Sequence, residues 1–151
     1  MGGSIAILIT LVVGLADAPA GTLGNVRLRG DAMRAKVERA VVGAARRLAQ
    51  PSCAGLLDEF TDAAGQNLRG NLEATGVLAP DYLRQVLFYD GLDEGRCAAA
   101  SVLAATAPGA HVVFVCARFY FGTFGKPDLA EAIVIHEALH TLGLGENPPS
   151  S

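Results

Sequence analysis

The sequence lacks several patterns that mark common functional classes. Its 12 Lys and Arg stand against 15 Asp and Glu, a net charge of −3, and no basic cluster carries interleaved aromatic residues. This argues against nucleic acid as a partner. No Cys-x-x-Cys pair occurs, which argues against a zinc site built from cysteines. No repeat, low-complexity tract or linker divides the 151 residues, a length that suits one domain with a sizeable core.

The N-terminal apolar run, residues 5–16, is too short to span a bilayer. The small residues Ala18-Pro19-Ala20 follow it and resemble a cleavage site. Although no Lys or Arg precedes the run, we predict that residues 1–20 are a signal peptide; a buried N-terminal helix or strand is the alternative. The mature protein would then be secreted, periplasmic or otherwise extracytoplasmic, with no membrane segment.

Cysteine is scarce, with Cys53, Cys97 and Cys116 the only three. Export would permit a disulfide. If one forms, we predict Cys97–Cys116, because a hairpin would bring those two segments together. Because the number of cysteines is odd, one disulfide would leave one cysteine without a partner in the chain.

The apolar patterning predicts an α+β domain with several N-terminal helices, a short and mostly antiparallel sheet, and a buried C-terminal helix. Apolar residues recur at helical spacing over residues 31–49. Shorter helices are predicted over residues 53–61 and 66–75, with a further helical turn at Pro80.

Strands are predicted in the C-terminal half, at residues 85–89 and in a hairpin whose strands cover residues 101–106 and 111–116. The aromatic, glycine-rich residues 117–125 are predicted to form a loop that either lines a pocket or covers the core. Within this loop, Tyr120 is a candidate donor to an oxyanion.

The most informative segment is His136-Glu137-Ala138-Leu139-His140. Two His residues four apart lie on one face of a helix, so both imidazoles can reach one Zn²⁺ ion. Glu137 lies beside the first ligand, where its carboxylate can take a proton from water. Gly143 can end the helix and turn the chain back, which would bring Glu146 toward the third coordination position.

This pattern resembles the zincin metallopeptidases and is closest in spacing to the metzincins, His-Glu-x-x-His-x-x-Gly-x-x-(His or Asp). The resemblance covers residues 136–146 and implies that His136 and His140 are zinc ligands and Glu137 the general base. Glu146 occupies the third-ligand position, where Glu replaces His or Asp. The C-terminal residues 146–151 also resemble the end of a motif found in small secreted bacterial proteins of unassigned function.

The resemblance implies a single zincin-like domain over residues 21–151. It also implies a zinc-dependent endopeptidase that hydrolyses a peptide or protein substrate with a zinc-bound water activated by Glu137. No Met follows the motif to supply the Met-turn of the metzincins, so the site is either minimal or truncated at Ser151. The hairpin over residues 101–116 would border the cleft and pair with an extended substrate.

Two other interpretations stay open. The chain could be a secreted zinc-binding or interaction protein without catalytic activity. Alternatively, the zinc could be purely structural, with a fourth protein ligand closing its coordination sphere. His111 is the only remaining His for that role, and its position at the start of a strand favours exposure to solvent.

Overall fold

The computed structural model describes residues 23–53 and 55–145 and shows an α+β fold with a mixed four-stranded sheet. The predicted signal peptide and Glu146 lie outside the described residues. The helices are α1 (Asp31–Leu48), α2 (Leu68–Ala74), α3 (Ala79–Tyr82), α4 (Arg118–Gly122) and α5 (Pro127–Thr141), and the strands are β1 (Val26–Arg27), β2 (Leu87–Asp90), β3 (Ala104–Ala105) and β4 (Val112–Val115).

Helix α1 confirms the helix predicted from apolar spacing. Val37, Val41 and Ala44 are buried on its inner face, because residues three, four and seven apart share one side of a helix. This face packs against α5, and the two helices approach closely at Gly43, where an added Cβ would lie 2.1 Å from the Glu131 carboxylate.

The prediction of a mostly antiparallel sheet is wrong. The strand order is β1-β2-β4-β3, and β2 runs parallel to both of its neighbours. The predicted hairpin is present, since β3 pairs antiparallel with β4. However, long stretches of the chain separate β1 from β2 and β2 from β4, and connections of such length permit parallel pairing.

Two segments depart from their predicted secondary structure. In the described part of the segment predicted as a helix over residues 53–61, the helical structure is limited to the 3₁₀ turn Leu56–Asp58 and the end of the 3₁₀ turn Pro51–Cys53. Conversely, residues 118–122 form α4 rather than a loop, and Phe119 on this helix is buried in the core. Burial of one aromatic side chain stabilises a short helix that its glycine content disfavours.

The predicted disulfide is confirmed, since Cys97 is joined to Cys116. Cys116 directly follows β4, and Cys97 lies in the 3₁₀ turn Gly95–Ala98. Cys53 is a free thiol. In the described part of the chain no helix combines the length and apolar character that crossing a membrane would require.

Helix α5 carries the His-Glu-x-x-His segment between two layers. One side packs against α1, where Arg47 forms ion pairs with Asp128 and Glu131 near the start of α5. The same helix contacts strands β3 and β4. Pro127 occupies its first turn, where a missing N–H costs no helical hydrogen bond.

Candidate metal centre

His136 and His140 meet at the C-terminal end of α5. Their Nε2 atoms lie 3.1 Å apart, and their rings stand edge to face with centroids 4.6 Å apart. Two nitrogens bound tetrahedrally to one zinc at 2.0–2.1 Å lie about 3.3–3.4 Å from each other. The observed separation therefore differs from that of a zinc-bound pair by only a few tenths of an ångström.

The end of α5 is a Schellman turn built around Gly143. The Leu144 N–H donates to the Leu139 carbonyl oxygen at 3.0 Å, and the Gly143 N–H donates to the His140 carbonyl oxygen at 2.9 Å. This turn requires a residue in the left-handed region, and Gly143 supplies it with φ of +111°. The sequence prediction that Gly143 ends the helix is confirmed.

The turn fixes the ring of His140. It brings the Leu144 carbonyl oxygen to 2.8 Å from His140 Nδ1. A carbonyl oxygen can only accept, so Nδ1 carries the proton and Nε2 presents its lone pair toward His136. Metal-binding imidazoles are commonly oriented in this way by a backbone carbonyl on the other nitrogen.

Residues from the first half of the chain anchor the Schellman turn. Asn71 Nδ2 donates to the Leu142 carbonyl oxygen and to Asp62 Oδ2, each at 2.9 Å. Asp62 in turn forms a β-bridge with Leu144. The hydrogen bond from Asn71, together with backbone N–H groups of which that of Gln66 contributes most, holds the pKa of Asp62 below its usual range.

The tip of the β3–β4 hairpin is also hydrogen-bonded to the C-terminal end of α5. The Gly109 N–H donates to the His140 carbonyl oxygen at 2.8 Å, so this carbonyl accepts from both Gly109 and Gly143. Beside it, Tyr82 donates its hydroxyl to Thr141 Oγ1 at 3.0 Å, and both residues are buried. Asp62, Asn71 and Gly109 were not predicted from the sequence, because nothing local marks a polar residue or glycine that acts on a distant helix end.

Glu137 points into the interior of the fold and is 6% exposed. It borders a cavity of about 10 Å³ that also touches Ala104 of β3 and Phe119 of α4. Strand β3 is an edge strand of the sheet, and its Ala104 borders the same cavity as Glu137. A buried carboxylate is costly unless its charge is compensated, which makes a purely accidental Glu at this position unfavourable.

Burial differs between the two His residues. His140 is 5% exposed, whereas His136 faces solvent, which corrects the expectation that both are buried. The difference arises because the returning turn covers His140 alone. The pair is therefore buried at His140 and exposed at His136.

The remaining predicted residues are not brought to the pair by any described contact. Tyr120 lies against α1, where Lys36 Nζ donates to its carbonyl oxygen at 2.6 Å, and it lines a cavity whose walls include none of the His-Glu-x-x-His residues. His111 is exposed and contacts the ring of Tyr82, with centroids 6.5 Å apart. Glu146 follows the described residues, so its role as third ligand stays a prediction.

Over residues 23–53 and 55–145, no group of three His, Cys, Asp or Glu side chains is arranged to hold a metal ion. The pair itself fits zinc, because it presents two imidazole nitrogens at a suitable separation and orients at least one of them through a backbone carbonyl. Two ligands do not make a complete site, so zinc binding would require at least one further ligand.

Compared with known families, curated proteins and solved structures, the chain matches no family model, no curated relative and no solved fold. The functional assignment therefore depends on the chemistry of the site alone.

Proposed function

We propose that this protein is a zinc-dependent endopeptidase of the zincin type. The observation that carries the proposal is the convergence of two Nε2 atoms at 3.1 Å, with His140 Nδ1 held by the Leu144 carbonyl. His136 and His140 would bind the metal, and Glu146 is the proposed third ligand. A bound zinc ion would supply Lewis acidity and lower the pKa of water to about 7.

Glu137 is the proposed general base. Glu137 directly follows His136 in sequence and is buried, and as the base it would take a proton from the attacking water and later deliver that proton to the leaving amine. Exclusion of bulk solvent around Glu137 would keep the proton within the site between the two steps.

Strand β3 is the proposed binding edge for the peptide. In the described part of the sheet, β3 pairs with β4 alone, so its other edge can form backbone hydrogen bonds with an extended chain. Because Ala104 and Glu137 border the same cavity, a substrate added to this edge would pass close to the proposed base.

The test combines zinc quantitation with a peptide-library cleavage assay, each with and without chelator. We expect the purified protein to hold one zinc ion and to lose cleavage when it is chelated. Glu137→Gln should retain zinc while cleavage falls by about 10²–10⁴-fold, since a general base contributes that much. His140→Ala should lose both zinc and cleavage, and Glu146→Gln should weaken zinc binding.

Matched controls are available for both residue types. Glu73 and His111 are exposed and lie outside the proposed site, so Glu73→Gln and His111→Ala should change neither readout. Loss of zinc in His111→Ala would instead support a structural zinc site. Stoichiometric zinc without cleavage of any peptide would support the second candidate, a secreted zinc-binding protein without activity.

A further inference from the structure

A groove of about 780 Å³ lies on the opposite side of α5 from the exposed face of His136. Helix α1 forms one wall, and the segment from Tyr120 to Glu131 forms the other. Its volume lies within the range of ligand-binding clefts. We call it the α1 groove.

Four cations border the α1 groove without carboxylate partners. Over residues 23–53 and 55–145 the ion pairs involve other Arg residues, and none of these four takes part in one. The four are Lys36, Arg39, Arg46 and Lys126. In a chain of net charge −3, this is a local concentration of unneutralised positive charge.

The two acids at the α1 groove do not neutralise these cations. Glu131 is paired with Arg47. Glu38 is 8% exposed, and its Oε1 accepts a hydrogen bond from the Leu23 N–H at 3.2 Å. Burial, and to a lesser extent the charge of Arg39, lowers the pKa of Lys36.

The walls between the cations are apolar. Ala35, Val42 and Ala130 line them, and Phe124 stands at the mouth with 73% of its surface exposed. The Lys36 ammonium lies 4.9 Å from the centroid of the Tyr120 ring and 5.7 Å from that of Phe124. An occupant must therefore carry apolar groups as well as negative charge.

The spacing of the cations selects the class of occupant. Lys36 and Arg46 are ten residues apart on α1, or about 15 Å at 1.5 Å per residue. That length accommodates about four to five residues of extended peptide. A fatty acid or a single headgroup carries negative charge at one end only and could pair with only part of this row of cations. An acidic peptide carries negative charge along its whole length.

We propose that the α1 groove binds a peptide segment in which acidic and apolar side chains alternate. The α1 groove is separate from the His pair, so this interaction does not depend on the proposed peptidase activity. It would hold a protein partner that presents such a segment, whether or not the partner is cleaved.

Fluorescence anisotropy of the full chain with a labelled peptide alternating Glu and Leu tests the proposal. A chelator in the buffer separates binding from any cleavage. We expect saturable binding that weakens as salt is added, since exposed charges are screened. Arg39→Ala/Arg46→Ala removes two exposed cations and should weaken binding by about fivefold or more. Phe124→Ser should also weaken it.

The matched control is Arg84→Ala/Arg96→Ala, which removes two exposed cations outside the α1 groove and should leave binding unchanged. Like the four cations of the groove, neither forms an ion pair within the described residues. Equal losses in the two double variants would overturn the proposal. Equal binding of a peptide with Lys in place of Glu, or tighter binding of single-stranded DNA, would overturn it too. Binding only after removal of residues 1–20 would assign the α1 groove to the chain's own leading segment instead.

Discussion

Replacement of Gly143 by alanine tests whether the end of α5 orders the candidate metal centre. Gly143 has φ of +111°, and an added Cβ would lie 3.0 Å from Asp62 Cβ. Backbone strain for an L-residue in this region costs about 1–3 kcal/mol. Relief of the strain would move the Leu144 carbonyl away from His140 Nδ1, and loss of such an outer-shell partner lowers metal affinity by about 10–100-fold.

The assay pairs urea denaturation of the metal-free protein with zinc titration against a competing chelator. The matched control is Gly76→Ala, because Gly76 follows α2 with φ of +75° and has no neighbour within 4 Å of an added Cβ. Both variants should lose stability, and only Gly143→Ala should lose zinc affinity. Unchanged zinc affinity in Gly143→Ala would refute a role for the turn in orienting His140.

Two further predictions concern the surrounding fold. Tyr82→Phe should lower the free energy of unfolding at neutral pH by about 1 kcal/mol, through loss of the hydrogen bond to Thr141. Burial raises the pKa of Tyr82, so its contribution is fully present below the unfolded-state value of about 10 and is lost as the pH rises through the folded value. Urea denaturation across this range should therefore show a smaller decline in the variant than in the parent; equal declines would contradict the assignment. Cys97→Ser should lower stability by about 2–4 kcal/mol by opening the loop to Cys116, while Cys53→Ser should stay within about 0.5 kcal/mol. Reduction by dithiothreitol should lower the melting temperature of the parent and leave that of Cys97→Ser unchanged.

Local patterns predicted those features of the fold that depend on neighbouring residues. Helix α1 follows from apolar spacing, and the β3–β4 hairpin from a short connection containing Pro108 and Gly109. Strands β1 and β3 have two residues each, which is too short for an alternation of apolar and polar residues to be recognised in the sequence. The parallel pairing of β2 could not be predicted, because it depends on the path of long connections rather than on the residues of the strand.

The candidate site also has features that could be predicted from the sequence and features that could not. The approach of His136 to His140 follows from a spacing of four residues on one helix. The exposure of His136 and the burial of His140 do not follow from this spacing, because the chain turns back after Gly143 and covers only the His140 ring. The part played by Asn71 could not be predicted, since its partner at Leu142 is 71 residues away in sequence.

The hydrogen bond from Asn71 to the Leu142 carbonyl has a consequence for how the protein would acquire the proposed zinc ion. Because Asn71 and Asp62, which anchor the turn after His140, come from the first half of the chain, a synthetic peptide copying the helix and its turn would lack that support. High-affinity loading should thus be a property of the assembled tertiary structure, acquired only once both halves have docked. Zinc uptake during refolding would then report completion of folding rather than its onset.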